Sequence, residues 1–206
     1  MNVKVKICGM REAENILDVG AVRPDYMGFI FHPQSPRCVP TDFRIPISLD
    51  SSIKRVGVFV NEKVDLILSL IKRHSLDFVQ LHGNESVEIC DELRLQGIGV
   101  IKVFSIDEGF DFGSIESYKT VVDFFLFDTK GKYYGGNGIA FNWNVLNRYD
   151  QEIPFFLSGG ISVVNIQNVE QLAMMNMHAI DVNSGVEIKP GVKDVESVKE
   201  VMKNLK

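Results

Sequence analysis

The segment Val3–Met10 places a thiol where α/β proteins often place their chemistry. Its residues, VKVKICGM, are typical of a short β-strand that ends on Cys8 and is followed at once by Gly9. Glycine favours a sharp turn there, because it adopts backbone angles that other residues avoid. A thiol at a strand tip can act as a base, a nucleophile or a metal ligand. The segment alone leaves these three roles open.

An aspartate and an arginine are the next candidates for chemistry. Asp128 ends the apolar run FFLFD, where a buried carboxyl would have a raised pKa and could donate a proton near neutral pH. A turn residue or a helix cap is the alternative role for Asp128. Arg37 lies in the proline-rich segment HPQSPRCV, where its fork of donors could hold a carboxylate or a phosphate. A solvated surface position is the more common alternative for a lone arginine.

Two further features follow apolar runs. Gln80 and His82 would share one face of a strand, because side chains alternate along it. A lone histidine is more often structural than catalytic, so both roles stay open for His82. The segment TKGKYYGGNGIAFNW, residues 129–143, is glycine-rich and of a kind that can close over a ligand.

Two glycine turns follow the last two apolar runs. LSGGIS covers Leu157–Ser162 and VNSGVE covers Val182–Glu187. Backbone N–H groups can approach an anion at such turns, because glycine has no Cβ. Ordinary strand-to-helix turns also favour glycine and serine, but two such turns in succession favour a phosphate site. Its predicted residues are Gly159, Gly160, Ser184 and Gly185.

Eight apolar runs alternate with segments of helical spacing, and these elements must position the candidates. The predicted strands are Val3–Ile7, Tyr26–Phe31, Arg55–Val60, Asp77–Leu81, Val100–Phe104, Val121–Phe127, Ile153–Leu157 and Ala179–Val182. The predicted helices are Arg11–Val19, Val64–Ile71, Ser86–Leu95, Asn142–Arg148, Val164–Met175 and Val195–Leu205. Four prolines between His32 and Ser52 exclude a long helix, so we expect a loop there.

This alternation predicts an α/β fold with a parallel sheet. Eight units in 206 residues favour a single domain, residues 1–206, folded as a (β/α)₈ TIM barrel. An open doubly wound sheet is the alternative, and the lack of GxGxxG after the first strand counts against it. In a barrel the carboxyl ends of all strands meet at one face, so the candidate residues would lie together.

Composition and charge narrow the possible partners and surroundings. The formal net charge of −5 argues against a general affinity for nucleic acid, and no apolar run is long enough to span a membrane. The N-terminal segment has two lysines among valines and no long apolar stretch, so we do not expect a signal peptide there. The three cysteines, Cys8, Cys38 and Cys90, show neither CxxC nor Cys/His ligand spacing. We therefore expect reduced thiols in a cytoplasmic protein, with no disulfide and no metal site.

Seven motifs occur in order along nearly the whole chain. They are KICGM at Lys6–Met10, GFIFHPQSPRCV at Gly28–Val39, VGVFVN at Val56–Asn61, VQLHG at Val79–Gly83, FDTKGKYYGGNGIAFNW at Phe127–Trp143, LSGGIS at Leu157–Ser162, and DVNSGVE with PGVKD between Asp181 and Asp194. Together they resemble the phosphoribosylanthranilate isomerase family of tryptophan biosynthesis. The set is far more specific than any one motif.

The resemblance implies a barrel enzyme that performs an Amadori rearrangement of N-(5-phosphoribosyl)anthranilate. Cys8 then corresponds to the general base and Asp128 to the general acid. Arg37 corresponds to the residue that holds the anthranilate moiety, and Asp181 to an aspartate near the substrate. The two glycine turns correspond to the phosphate site. Gln80 and His82, in VQLHG, are also predicted to bind substrate.

The same resemblance defines the expected partners. The substrate is a small-molecule phosphosugar, no metal or organic cofactor is required, and the protein is a monomer or a homodimer. One position departs from the family pattern DVSSGVE, because Asn183 replaces the first serine. Asparagine can still donate a hydrogen bond, so we expect phosphate binding with altered contacts.

The sequence leaves two alternatives open. One is a barrel isomerase or epimerase for another phosphosugar, although such sites commonly use two aspartates and the first strand here carries Cys8. The other is a barrel that binds a phosphorylated ligand without catalysis.

The alternation of side chains along the first strand adds a hypothesis about Cys8. Lys6 shares its face of the strand and would point into the barrel if Val3, Val5 and Ile7 face the helices. A nearby ammonium would favour the thiolate.

Overall fold

The computed structural model describes residues 3–129 and 142–205. Most of the glycine-rich segment 129–143 lies outside the described residues, and so does its predicted closure over a ligand. Within the described ranges, eight parallel strands close into a barrel. They are β1 Lys4–Ile7, β2 Tyr26–Ile30, β3 Lys54–Phe59, β4 Phe78–Leu81, β5 Gly99–Ile106, β6 Phe124–Thr129, β7 Phe155–Leu157 and β8 Met177–Val182.

The closure of the sheet confirms the predicted TIM barrel. Each strand pairs with the next in sequence, and β8 pairs with β1 in parallel, with Lys6 opposite Asp181. An open doubly wound sheet would leave its two edge strands unpaired, so the pairing of β1 with β8 excludes that alternative. The register also brings the two most distant parts of the chain to the same side of the barrel.

Helices of two kinds surround the strands. The α-helices are α1 Ala13–Ala21, α2 Val64–His74, α3 Val87–Leu95 and α4 Val195–Leu205. The connections after β5, β6 and β7 contain 3₁₀-helices at Phe112–Tyr118, Trp143–Arg148 and Ile166–Leu172. In the region 32–52, the described residues contain no helix, as the prolines predict.

The structure corrects the predicted helix over Val164–Met175. A 3₁₀-helix covers only Ile166–Leu172. The side chain of Asn165, just before it, accepts a hydrogen bond from the Ser162 N–H at 2.9 Å and donates one to the Gly160 carbonyl at 2.8 Å. Asparagine side chains that bond nearby backbone in this way compete with α-helix formation. The predicted strand at Ile153 likewise begins later, at Phe155, because Pro154 has no N–H for the ladder.

The sequence did not predict a short antiparallel hairpin near the end of the chain. Its strands are β9 Glu187–Lys189 and β10 Val192–Lys193. Gly191 turns the chain between them with a φ of +84°. Pro190–Gly191 is a turn signal, but two strands this short carry no alternation that a sequence pattern could show.

The barrel interior changes from apolar to polar along its axis. The aromatic rings of Tyr26, Phe78, Phe124 and Phe156 pack together near the amino ends of the strands. Four buried polar side chains that point into the barrel lie towards the carboxyl ends of the strands: Lys6, Gln80, Asp128 and Asp181. Because burying polar groups costs free energy unless they are paired, their concentration at one end marks that end as the functional face.

Candidate active site

A cavity opens at the carboxyl ends of the strands, where the sequence predicts the site. Five predicted residues line it: Cys8, Gln80, His82, Asp128 and Asp181. They come from β1, β4, β6 and β8 or from the residues directly after these strands. Asn183, expected among the phosphate contacts, lines it as well, and so do residues that the prediction left without a role, among them His32, Ser35 and Ser158.

Cys8 directly follows β1 and is buried against the neighbouring strand. Its N–H donates to the Val182 carbonyl at 2.9 Å, which continues the pairing of β1 with β8. A Cβ added at Gly28 would lie 2.6 Å from Cys8 Sγ and 3.2 Å from Lys6 Nζ. The missing side chain at Gly28 therefore leaves the space in which the thiol and the ammonium lie side by side.

Lys6 points into the barrel, as its alternation with Cys8 predicts. Its Nζ donates to Asp181 Oδ1 at 2.8 Å, and both side chains are buried. Burial alone would lower the pKa of Lys6, but Asp181 and Cys8 outweigh it and hold that pKa above its ordinary value. Lys6 is therefore an ammonium at neutral pH.

Burial changes the pKa of the Cys8 thiol more than the Lys6 ammonium does. Burial raises the pKa of Cys8 above its ordinary value, Lys6 opposes that effect, and the Asp181 carboxylate adds to it. Lys6 therefore limits the rise without reversing it. The sequence hypothesis named the lysine but not the carboxylate, which lies 175 positions away along the chain.

Asp128 is the last residue but one of β6 and is held by backbone and side-chain neighbours. Its Oδ1 accepts a hydrogen bond from the Thr129 N–H at 2.9 Å, and its Oδ2 lies 3.4 Å from His82 Nε2. Gln80 Nε2 in turn lies 3.1 Å from His82 Nδ1. The three side chains form a row across the cavity, with the carboxyl buried but facing it.

The two glycine turns meet beside this cavity. Gly159, Gly160, Ser184 and Gly185 line a second hollow, which shares Asp128, Ser158, Asp181 and Asn183 with the first. Gly159 has a φ of +95°, which disfavours any other residue, and a Cβ there would collide with Thr129. The predicted phosphate residues are thus brought together next to the thiol and the carboxyl.

Arg37 lies at the edge of the site rather than among the residues that line it. Its Nε donates to Glu187 Oε1 at 2.9 Å, and its Nη2 donates to Glu187 Oε2 at 2.7 Å. A Cβ at Gly9 would lie 2.9 Å from Arg37 Cδ, so the arginine stem runs along the turn that follows Cys8. The pairing of Arg37 with a carboxylate of the protein was not predicted.

Neither metal ligation nor a membrane crossing has support in the described ranges. Within residues 3–129 and 142–205, no three His, Cys, Asp or Glu side chains are grouped so that they could hold a metal ion. Among these same residues, no helix combines the length and apolar character that a membrane crossing requires. All three cysteines are free thiols.

Comparison with known proteins identifies the family. The family model for N-(5'phosphoribosyl)anthranilate (PRA) isomerase matches residues 5–204. The chain belongs to this family. A PRA isomerase from Phocaeicola vulgatus is 44% identical over 202 residues, which cover 98% of this chain and 97% of that protein.

Solved structures of PRA isomerases share the fold over nearly their whole length. The enzyme from Thermotoga maritima has a TM-score of 0.88 and 35% identity, with 98% of each chain covered. A PRA isomerase in complex with reduced 1-(o-carboxyphenylamino)-1-deoxyribulose 5-phosphate has a TM-score of 0.85 and 33% identity, again with 98% of each chain covered. A further Thermotoga maritima structure shows monomers generated from a dimeric PRA isomerase, with a TM-score of 0.82, 33% identity and the same coverage.

Proposed function

We propose that this chain converts N-(5-phosphoribosyl)anthranilate to 1-(2-carboxyphenylamino)-1-deoxyribulose 5-phosphate, with Cys8 as general base and Asp128 as general acid. Membership of the PRA isomerase family supports the reaction. The observation that carries the two roles is that thiol and carboxyl line one cavity, directly beside the meeting point of the two glycine turns.

The first step opens the sugar ring. Asp128 gives its proton to the ring oxygen while the C1–O bond breaks, and the anthranilate nitrogen supplies the electron pair that forms a C1=N iminium. The carboxyl suits this task because it is buried and because Thr129 and His82 hold it in place at the end of β6.

The second step moves a proton from C2. The iminium acidifies the C2–H bond, the Cys8 thiolate removes the proton, and the released electron pair forms a C1=C2 bond as the nitrogen is neutralised. The resulting enolamine becomes the ketone by protonation at C1 and loss of the enol proton. Because the base must be a thiolate, the raised pKa of the buried Cys8 lowers the thiolate fraction, and with it the rate, at every pH below that pKa, and Lys6 limits this effect.

The remaining residues bind and orient the substrate. The turns with Gly159, Gly160, Ser184 and Gly185 hold the phosphate, and Arg37 holds the anthranilate carboxylate. Gln80 and His82 orient Asp128 through the row of contacts described above. Asp181 acts through Lys6, to which it is paired.

The test is turnover of substrate generated in the cuvette, followed by the loss of its anthranilate fluorescence. Cys8→Ser and Asp128→Asn should each lower kcat by about 10²–10⁴-fold, because each removes a proton-transfer group. Binding of the reduced product analogue should stay within a few-fold of wild type in both variants, since neither change removes a phosphate contact.

Cys38→Ser is the matched control, because it exchanges the same atoms in the loop between β2 and β3. Its rate should equal that of wild type. A wild-type rate in Cys8→Ser would disprove the base role. A wild-type protein that binds the analogue without turning substrate over would support the binding-only alternative.

The proposal extends to the setting of the enzyme. A small-molecule phosphosugar is its substrate, a single domain over residues 1–206 carries the site, and the location is cytoplasmic. The protein is a monomer or a homodimer, and the dimeric relative from Thermotoga maritima supports the second.

A further inference from the structure

A cluster of charged side chains lies beside the active site, and two of its members, Glu187 and Lys193, have no role in the mechanism above. It joins Arg37 to Glu187 and Lys193, which belong to the β9–β10 hairpin. We propose that Glu187 and Lys193 are positioning residues that fix the Arg37 guanidinium and thereby select a substrate with an aryl carboxylate. The inference rests on the proposed function, because it assigns Arg37 to that carboxylate.

The pairing of Arg37 with Glu187 leaves one edge of the guanidinium available. Glu187 accepts from Arg37 Nε at 2.9 and 3.1 Å and from Nη2 at 2.7 Å, so it occupies the edge nearest the side-chain stem. The guanidinium is planar and carries five N–H donors. The edge formed by Nη1 and Nη2 is turned away from Glu187, and that edge can hold a second carboxylate with two parallel hydrogen bonds.

Glu187 is fixed by the hairpin and does not depend on Arg37 for its position. Its Oε1 accepts from Lys193 Nζ at 2.7 Å and from the Gly191 N–H at 3.0 Å. Burial would raise the pKa of Glu187, but Arg37 and Lys193 outweigh burial and hold the pKa below its ordinary value. A carboxylate held in this way stays in place and positions the arginine, so the substrate carboxylate binds beside Glu187 and does not displace it.

Lys193 connects this reference to two other parts of the barrel. Its Nζ donates to Asn183 Oδ1 at 2.7 Å, so one charge holds both Glu187 and the asparagine at the phosphate turn. Its backbone exchanges two hydrogen bonds of 2.8 Å with the side chain of Asn15 on α1. The hairpin is therefore braced against the helix that follows β1 and Cys8.

The charge balance of the cluster favours an anionic substrate group. Two cations, Arg37 and Lys193, surround one anion, Glu187, so one positive charge is left over. Arg37 is 13% exposed, whereas Lys193 is fully buried, so the side that remains open to a ligand belongs to the arginine. A carboxylate placed there completes the neutralisation of a partly desolvated cation.

The test compares two probes that differ only in the ring carboxyl. They are reduced 1-(o-carboxyphenylamino)-1-deoxyribulose 5-phosphate and the same compound without the carboxyl, with Kd values measured by calorimetry. Wild type should prefer the carboxylated probe. Glu187→Gln should lower that preference by about tenfold, the loss expected when a charge-assisted contact is misplaced. The Kd of the probe without carboxyl should barely change, and KM should rise more than kcat falls.

Two further variants keep the outcome interpretable. Glu187→Gln combined with Lys193→Met removes both charges, so a folding defect from an unpaired buried lysine is avoided. Lys189→Gln, an exposed change on the same hairpin, should leave both Kd values at the wild-type level. If folded Glu187→Gln preferred the carboxylated probe as strongly as wild type does, and wild type turned substrate over, the inference would be overturned and the proposed function would stand. A wild type without turnover would instead overturn the proposed function.

Discussion

At the scale of single residues, two buried charges of opposite sign, Lys6 and Asp181, modify the effect of burial on the pKa of the Cys8 thiol. Lys6 lies beside it, and Asp181 lies beyond Lys6 at 2.8 Å. The ammonium lowers the pKa of the thiol and the carboxylate raises it, so the two charges partly cancel each other's effect on that pKa. This arrangement keeps a charged lysine inside the barrel without a large excess of positive charge.

Replacing Lys6 tests this balance directly. In Lys6→Met the thiol loses its cation and keeps the unfavourable carboxylate, so the pKa of Cys8 should rise further, by about one unit or more. The double variant Lys6→Met with Asp181→Asn should show a smaller rise, because the opposing carboxylate is gone as well. The pKa is measured from the pH dependence of alkylation in a Cys38→Ser background.

In that background the third thiol, Cys90, does not interfere, since it is completely buried. An unchanged pKa of Cys8 in Lys6→Met would show that the ammonium has no influence on the thiol. Equal pKa values in the single and double variants would show that Asp181 has none.

Sequence reasoning at this scale identifies residues on strand ends but not the partners they meet. Cys8, Asp128, Gln80 and His82 stand where an apolar run stops, so alternation and residue type are enough to select them. Glu187 and Lys193 lie inside recognised motifs, yet the contact of Glu187 with Arg37 spans 150 positions along the chain. A single sequence carries no signal for such a contact, because it depends on how β8 returns to β1.

At the scale of elements, one buried ion pair ties together the carboxyl ends of three strands. Lys102 on β5 donates to Glu85 Oε2 at 3.0 Å and to the carbonyl of Gly83 at 2.8 Å. Glu85 also accepts from the Asn61 N–H at 2.8 Å, just after β3. Glu85 thus holds the turns after β3 and β4 on a side chain of β5.

Breaking that pair should destabilise the barrel strongly. Lys102→Met leaves Glu85 buried without its cation, which should lower the free energy of unfolding by about 3–5 kcal/mol. Lys54→Met is the matched control, because Lys54 forms a 2.9 Å pair with Asp77 at an exposed position. It should cost less than about 1 kcal/mol. Urea unfolding of both variants measures the difference, and equal small losses would contradict a stabilising role for the buried pair.

The elements themselves were predicted with uneven success. The strands are short apolar runs between turn signals, and all eight are present. The connections after β5, β6 and β7 contain 3₁₀-helices, and two of these are preceded by Asp111 and Asn142, whose side chains accept a hydrogen bond from the backbone N–H two residues on. Such caps fix where each helix begins, but the helical spacing of apolar residues does not reveal whether the helix that follows is an α-helix or a 3₁₀-helix.

At the scale of the whole molecule, the barrel has an apolar end and a polar end. Alternation along each strand allows that division to be predicted, because the inward residues change from Tyr26 and Phe124 to Cys8 and Asp128. Register cannot be predicted in the same way, since it depends on pairing between strands. His178 shows the consequence: it lies where the register of β7 against β8 shifts, and its ring packs among the inward aromatic residues.

This histidine should make the whole barrel sensitive to acid. Burial, with a smaller effect of Lys4, lowers the pKa of His178 to about 4. The unfolded chain has the ordinary value of about 6.5 and so binds more protons between those two values. The stabilising contribution is therefore complete above about pH 6.5 and is lost as pH falls towards 4.

His178 Nε2 lies 2.7 Å from the Tyr26 hydroxyl, and a glutamine could still bond that hydroxyl. In His178→Gln the free energy of unfolding should therefore fall less steeply over this window. Urea unfolding at pH 7, 5.5 and 4.5 measures both slopes. Buried carboxylates contribute equally to the two proteins, so only the difference reports on the histidine, and parallel curves would show that His178 titrates alike in the folded and unfolded chain.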